Sequence, residues 1–137
     1  MATNSIVFER YLVSRKIKYV RHDGNIFRID YQGEHMKTIP LCCSFDEDNE
    51  LDMAMVMCFQ IARYTEDNEL LAMAMCNGMN SVMPYIRFYV DDDHEIVARC
   101  DVRIHEPYFC DDIIQTMNLM AEAVDSVYDD FVKEMWS

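Results

Sequence analysis

The sequence is poor in the residues that interrupt regular structure, with only three glycines and three prolines among 137 residues. It also lacks a run of about 18 apolar residues, which a membrane-spanning helix requires. Its N-terminal residues show neither the basic nor the apolar region of a secretory signal. Because 51% of the residues are hydrophobic, the chain can bury a core. We therefore predict one domain spanning residues 1–137, located in the cytoplasm.

Basic residues are scarce as well. The chain has 12 lysines and arginines against 25 acidic residues, which gives a formal net charge of -13. A field of this sign repels the phosphates of nucleic acids and the head groups of anionic lipids. Neither nucleic acid nor a membrane is therefore predicted as a partner. The acidity is interpreted as an aid to solubility, and attraction of a basic partner is the alternative.

Sequence motifs for catalysis, nucleotide binding and metal binding are missing. There is no P-loop, no G-x-G-x-x-G, no G-x-S-x-G and no H-E-x-x-H. The acidic run Asp91–Glu95 does not fit a calcium-binding loop, because Ile96 and Val102 stand where that loop needs glycine and glutamate. The six cysteines form no C-x-x-C pair and are interpreted as reduced, buried small side chains. We predict no catalytic residues, no cofactor and no metal site.

The spacing of apolar residues predicts three helices. The first runs from the capping residues Thr3–Ser5 to about Arg15. The second runs from about Asp67 to Val82 and stops before Pro84, which disfavours helical geometry in the residue preceding it. The third is amphipathic and begins at Pro107, a residue suited to the first turn of a helix.

Alternation of apolar and polar residues predicts strands between these helices. A short extended piece at Lys18–His22 leads to a turn at Asp23-Gly24. Short connections between consecutive strands imply an antiparallel sheet, and helices with one apolar face must pack on it. The prediction is a two-layer α+β fold in the order α-β-β-β-α-β-β-α, with strands at 27–31, 39–45, 51–61, 86–90 and 96–104.

The second half of the chain carries a family resemblance. Asn77-Gly-Met-Asn80 on the middle helix is followed by the Tyr85–Arg99 hairpin, an acidic turn and an acidic final helix. In this arrangement the chain resembles the YbjN family, whose members have been suggested to regulate bacterial sensory transduction and share a fold with type III secretion chaperones. The chain departs from the family where His94 replaces a frequent turn glycine and in its methionine-rich strand. The resemblance implies a non-enzymatic adaptor or chaperone-like binder, often dimeric.

The methionine-rich strand is the second choice for partner contacts, and it stands out because the chain has 12 methionines. The large apolar residues of this strand all occupy odd-numbered positions, so their side chains are predicted to point to one face of the sheet. The favoured interpretation is a stripe in the core; the alternative is an exposed face that accepts different apolar segments, because methionine adapts its shape to its surroundings. Under the alternative, the partner contacts are Met53, Met55, Met57 and Phe59.

The last two strands supply the preferred candidate contacts. Arg87, Tyr89 and Arg99 share the opposite parity from the apolar residues of their strands, and the arginines are unusual in so acidic a chain. They either pair with nearby carboxylates, which at a surface contributes little stability, or contact a partner. We predict a protein-binding module whose partner is another protein or a second copy of the chain in a homodimer.

Asn77 and Asn80 lie three residues apart and share one face of the predicted middle helix. They are interpreted as hydrogen-bonding to strand ends or loops, because buried amides need partners. The alternative is that they line a pocket between helix and sheet. In that case the protein would be a small-ligand sensor domain and not a protein-binding module.

Overall fold

The computed structural model of the protein describes residues 4–23, 25–45, 52–105 and 107–136. Within these ranges three helices and six strands alternate in an α+β arrangement. A 3-10 turn, Glu66–Asn68, precedes the second helix. The elements are α1 (Asn4–Ser14), β1 (Val20–His22), β2 (Ile26–Tyr31), β3 (Ile39–Phe45), β4 (Met53–Arg63), α2 (Glu69–Val82), β5 (Arg87–Val90), β6 (Glu95–Arg103) and α3 (Phe109–Trp136).

The described strands form one antiparallel sheet in the order β1-β2-β3-β4-β6-β5. The predicted α+β class and the predicted order of helices and strands are confirmed. The extended piece at Lys18–His22, which that order did not count, contains the three-residue edge strand β1. The predicted polar break at Asp46–Glu50, the strand residue Leu51, and the positions of Thr3 and Gly24 lie outside the described residues.

The core lies between one face of this sheet and the helices. α3 contacts β3, β4 and β6, and α2 packs beside the edge strand β5. α1 covers the other end of the same face, where the ring of Phe8 lies 5.3 Å from that of Phe27 and 5.4 Å from that of Phe45. One face of the sheet therefore carries the helices.

No described helix is long and apolar enough to cross a bilayer.

The start of α3 differs slightly from the prediction, whereas the end of α2 agrees with it. α3 begins at Phe109, and the amide of Asp112 donates to the carbonyl of Tyr108 at 3.1 Å. Pro107 therefore lies in the turn before the helix and not in its first turn. α2 ends at Val82, ahead of Pro84, as the restriction on residues that precede proline predicts.

The cysteines mostly behave as small buried side chains. All six are free; four are buried and two, Cys42 and Cys100, are half-buried. Burial raises the pKa of Cys58 to about 12 and that of Cys76 to about 11. Thiols with such pKa values stay protonated at neutral pH and are poor nucleophiles.

Candidate functional site

The methionines of β4 lie on the face of the sheet that the helices leave uncovered. Along the strand, the inner positions are Ala54, Val56 and Cys58, all fully buried, while Met53, Met55 and Met57 between them are half-buried. The interpretation of the methionines as a core stripe is therefore wrong. α3 lies over β4 on the inner face, and small side chains there leave room for a helix packed close to the sheet. The large residues of β4 point to the other face.

The strand register brings the other candidates onto this same face. Met57 lies directly opposite Arg99 on β6, and Arg99 lies opposite Arg87 on β5. Tyr89 lies opposite Val97, one pair further along β5. Residues directly opposite each other project their side chains to the same side of a sheet. Met53, Met55, Met57, Arg87, Tyr89 and Arg99 therefore share one surface, which we call the open face.

A β-bulge interrupts β4 at the edge of the methionine stripe. The register shifts between Cys58 and Ala62, and Gln60 has a φ of 59°. Phe59 is 46% exposed just before the shift, whereas Ile61 is only 2% exposed and belongs to the core. The alternation that grouped Ile61 with the methionines thus ends at this bulge. Between the pairs Cys58–Ala98 and Ala62–Ile96, β4 has three residues against one on β6, and these two extra residues let Ile61 turn towards the core before the inward positions resume at Ala62.

The charged groups of the open face are partly neutralised within the face. Arg99 Nε donates to Asp101 Oδ1 at 2.8 Å, and Arg28 Nε donates to Asp30 Oδ1 at the same distance. Both pairs are well exposed, so they contribute little to stability. Arg87 forms no ion pair with any described residue, and its Nη1 atom donates to the carbonyl of Ile86 at 3.4 Å. The open face thus combines apolar methionines with an unpaired guanidinium at the β5 edge.

The two candidate asparagines of α2 have different surroundings. The Asn80 amide donates from Nδ2 to the carbonyl of Phe88 at 2.9 Å and accepts at Oδ1 from the amide of Phe88 at 2.7 Å. Asn80 thereby satisfies both backbone groups that Phe88 presents at the outer edge of β5, as the interpretation of strand-end bonding expects. Asn77 is exposed. Neither lines the two surface depressions described below.

Sequence reasoning missed a groove on the helix side of the sheet. It has a volume of about 810 Å³ and lies between α3, the second half of β6 and the segment that precedes β5. Its walls are mostly apolar and include Ile86, Val102 and Leu119. Leu119 remains 55% exposed although it is a large apolar residue. The sequence feature that could have indicated this groove is Leu119, which lies on the outer side of the apolar stripe of α3.

A second depression, of about 820 Å³, lies where the loop between β2 and β3 meets α3. The carboxylate of Asp125 accepts hydrogen bonds at 2.9 Å from the backbone amides of Glu34, His35 and Met36. Gly33 belongs to the same loop, and a Cβ atom there would overlap the Asp125 carboxylate. Glycine thus permits the close approach that lets one side chain hold three successive amides.

This arrangement predicts a pH-dependent contribution to stability. The backbone amide of Met36 is the main cause, with those of Glu34 and His35, of a pKa of Asp125 below its usual value. A lowered folded-state pKa stabilises the protein above the ordinary carboxyl pKa of about 4, and this stabilisation disappears as the pH falls through the folded-state value. We expect Asp125→Asn to lower the urea midpoint at pH 7, with a difference from wild type that shrinks below pH 4. A difference independent of pH would contradict this role.

Metal-binding groups do not converge in the part of the chain that the structure describes. Across the described ranges, no three histidine, cysteine, aspartate or glutamate side chains are placed to hold a metal ion. Histidines that do contact carboxylates form single pairs, such as His35 Nδ1 with Asp129 Oδ2 at 2.8 Å. Such isolated pairs cannot supply the three or four ligands of a zinc site.

Comparison with known proteins adds two findings. Residues 51–135, from β4 through α3, match the profile of the family described as T3SS (YopN, CesT) and YbjN peptide-binding chaperone 1. The crystal structure of YbjN, a suggested transcription regulator from E. coli, superposes with a TM-score of 0.66 at 10% sequence identity, covering 93% of each chain. No curated protein matches by sequence. Both findings confirm the resemblance seen in the sequence, and the second extends the shared fold to nearly the whole chain.

Proposed function

Because the chain belongs to the family of T3SS and YbjN peptide-binding chaperones, we propose that it is a non-enzymatic adaptor that holds an apolar segment of a partner protein on its open face. The observation that carries this proposal is the position of Met53, Met55 and Met57, half-buried on the face opposite the helices. The family is a chaperone-type binding family and not an enzyme family. We place the adaptor in a bacterial cytoplasm.

Binding on the open face would use two kinds of contact. Methionine side chains are flexible and polarisable, so a methionine stripe adjusts to partner side chains of different shapes. Burial of these side chains would supply most of the affinity. Arg87, Arg99 and Tyr89 border the stripe on one side, and such peripheral groups influence which partners are accepted more than how tightly they bind. The expected partner segment is apolar with acidic residues near these arginines.

This proposal predicts a loss of peptide binding when the stripe is made polar. We expect the double variant Met55→Ser/Met57→Ser to weaken binding to an array of apolar peptides by roughly tenfold per methionine, on the scale of about 1.4 kcal/mol for each lost contact. Met55→Leu/Met57→Leu should keep the tightest binders and accept fewer sequences, because leucine is less adaptable. Fluorescence anisotropy with array-selected peptides measures both effects.

The matched control is Met73→Ser on α2, a methionine that is 49% exposed away from the open face. It should leave peptide binding unchanged. Equal affinities for wild type and the serine double variant would rule out the open face as the binding surface. Crosslinking in source cells with the same variants then identifies the physiological partner as the protein captured by wild type and lost with the double variant.

The homodimer stays a prediction. α2 carries exposed apolar side chains that a second copy would cover in such a dimer, with Leu70 at 81%, Met73 at 49% and Val82 at 72% exposure. The small-ligand sensor also stays a prediction. Its candidate Asn80 has its amide engaged by Phe88, so no observation favours it over the protein-binding proposal.

A further inference from the structure

The open face carries a row of side chains that crosses the sheet. Arg28 on β2 lies opposite Cys42 on β3, and Cys42 lies opposite Met57 on β4. The row continues from Met57 to Arg99 on β6 and from Arg99 to Arg87 on β5. Residues directly opposite each other project to the same side of a sheet. One arginine therefore lies on one side of the methionine stripe, and two lie on the other.

This surface is basic although the chain is acidic. Arg103 lies opposite Met53 and adds a fourth arginine to the open face, whereas Asp30 and Asp101 each lie two residues from an arginine on the same strand. Four arginines against two aspartates leave a formal charge of +2, in a chain that carries -13 in total. At an ionic strength of 0.15 M, charges more than about 8 Å away are largely screened. The arginines therefore dominate the local field and favour a bound segment with carboxylates beside them.

The guanidiniums of the row differ in how far they are already neutralised. Arg28 makes two hydrogen bonds to Asp30, at 2.8 and 3.4 Å. Arg99 makes two to Asp101, at 2.8 and 3.2 Å. Arg87 has no such partner among the described residues and lies directly opposite Arg99. Like charges in that position destabilise a sheet, so a carboxylate placed between Arg87 and Arg99 would relieve a repulsion.

The backbone beneath the open face offers no pairing site to a bound segment. β2, β3 and β4 each have a neighbouring strand on both sides, so their backbone groups belong to existing ladders. An extended segment that adds to a sheet needs an unpaired edge, and the middle of this face has none. A helix bonds its own amides to its own carbonyls. A segment that covers the methionines can therefore satisfy its backbone as a helix but not as a further strand.

The dimensions of the surface fit one helix. The apolar stripe runs along β4 from Met53 to Met57 and ends at Phe59, which is 46% exposed before the bulge. At about 3.3 Å per residue this length is roughly 20 Å, which about 13 residues of helix cover. Arg28 and Arg87 each lie two strands from β4, roughly 10 Å to either side. A helix with its side chains is about 10–12 Å wide, so it would have arginines along both flanks.

We propose, on the basis of the function proposed above, that the segment held on the open face is an amphipathic α-helix of about 13 residues with carboxylates on both sides of its apolar stripe. The helix lies along β4 and places its apolar side chains on the methionines. Its carboxylates face Arg28 on one flank and Arg99 and Arg87 on the other. Arg87 is the specificity-determining residue, because no carboxylate of the described residues pairs with it.

Three blocked peptides, each two heptads long, test the proposal on the full chain. The first has leucine at the a and d positions, glutamate at e and g, and alanine or glutamine elsewhere, so that its helical form has one apolar stripe between two acidic flanks. The second has lysine in place of each glutamate. The third has the composition of the first, but its leucines alternate with polar residues, an order that favours an extended form.

We expect the glutamate helix peptide to bind most tightly. In fluorescence anisotropy, the lysine peptide and the alternating peptide should each be weaker by roughly tenfold or more. Circular dichroism of the mixture should show helix gained on binding. NMR of labelled methionine methyl groups should show changes at Met53, Met55 and Met57 and none at Met73 of α2. Equal affinity for the lysine peptide, or tighter binding of the alternating peptide, would overturn the proposal.

Arg87→Gln separates a role in partner selection from a structural role. It should weaken the glutamate peptide about three- to fivefold, the range of one exposed ion pair, and leave a peptide with glutamine in place of glutamate unchanged. The urea midpoint of the free protein should stay the same or rise, because the variant removes a like charge opposite Arg99. Arg10→Gln, at an exposed arginine of α1, is the matched control and should change neither affinity. An equal loss for both peptides, or no loss, would contradict this role for Arg87.

Two results separate a failure of the helix from a failure of the open face. Met55→Ser/Met57→Ser should weaken the glutamate peptide and the array-selected peptides alike. If the array-selected peptides depend on these methionines but the glutamate peptide does not bind, only the helix is refuted. If neither depends on them, the open face itself fails as the binding surface. A sedimentation coefficient that rises with protein concentration in wild type but not in the serine double variant would assign the face to a second copy of the chain, and would also overturn the proposal.

Discussion

Replacing Val56 with glutamate is expected to prevent the protein from folding. Val56 is fully buried on the inner face of β4, opposite Cys43 on β3 and Cys100 on β6. A carboxylate brought into this position loses its hydration and has no cationic partner among these neighbours. The penalty, about 4 kcal/mol or more, approaches the whole stability of a typical domain. Circular dichroism and urea unfolding should show no cooperative transition.

The matched variant is Met57→Glu, one residue along the same strand. Met57 is on the open face opposite Arg99, so the new carboxylate stays in water and gains an oppositely charged cross-strand neighbour. We expect its free energy of unfolding to stay within about 1 kcal/mol of wild type. If Met57→Glu were the variant that failed to fold and Val56→Glu folded normally, the two faces of the sheet would be assigned the wrong way round.

This pair of residues also shows where periodicity is insufficient. The alternation along β4 correctly predicts a strand, because a period of two is independent of which face is buried. It does not say whether the odd-numbered or the even-numbered residues point inward when both sets are apolar. The rule that larger apolar residues are buried selects the methionines, but α3 crosses β4 closely and requires small residues such as Ala54 and Val56 below it. Only the position of the helix resolves the choice.

Other features were set by tertiary structure in a similar way. The bulge at Gln60 depends on a φ of 59° in a residue that has no strong preference for it, and it moves Ile61 from the outer face to the core. The length of the ladder between β5 and β6 depends on where β5 begins, which the turn at Tyr85 determines. Neither leaves a pattern in the sequence. The helices, by contrast, were predicted closely because proline positions and apolar spacing are local signals.

The candidate residues were predictable one by one, but their grouping was not. Arg87, Arg99 and Met57 stand far apart in the chain and become neighbours only through the register of β4, β6 and β5. The sequence suggested two separate contact regions, one in the methionine strand and one in the final hairpin. Pairing of β4 with β6 joins them into one surface, because α2, which separates β4 from the hairpin in the sequence, is not part of the sheet, and β5 lies beyond β6.

Replacing Asn80 with alanine is expected to destabilise the protein by about 2–3 kcal/mol, since it leaves two backbone groups of a buried residue without partners. Phe88 is only 1% exposed, and both its amide and its carbonyl bond to the Asn80 side chain. The lost bonds attach α2 to the edge strand β5. Urea unfolding measures the change, and hydrogen exchange should show the Phe88 amide losing most of its protection.

Asn77→Ala is the internal control, because Asn77 is an exposed asparagine on the same helix. Alanine is the better helix former, so this variant should be neutral or more stable by about 0.5 kcal/mol. The stability of Asn80→Asp should lie between those of Asn80→Ala and wild type, since a carboxylate still accepts a hydrogen bond from the Phe88 amide but repels the Phe88 carbonyl. Equal effects at both positions would mean that the amide of Asn80 is free to serve another purpose, and the ligand-sensor interpretation would regain support. A large difference assigns Asn80 to holding β5 in place, and this fixes the position of Arg87 on the open face.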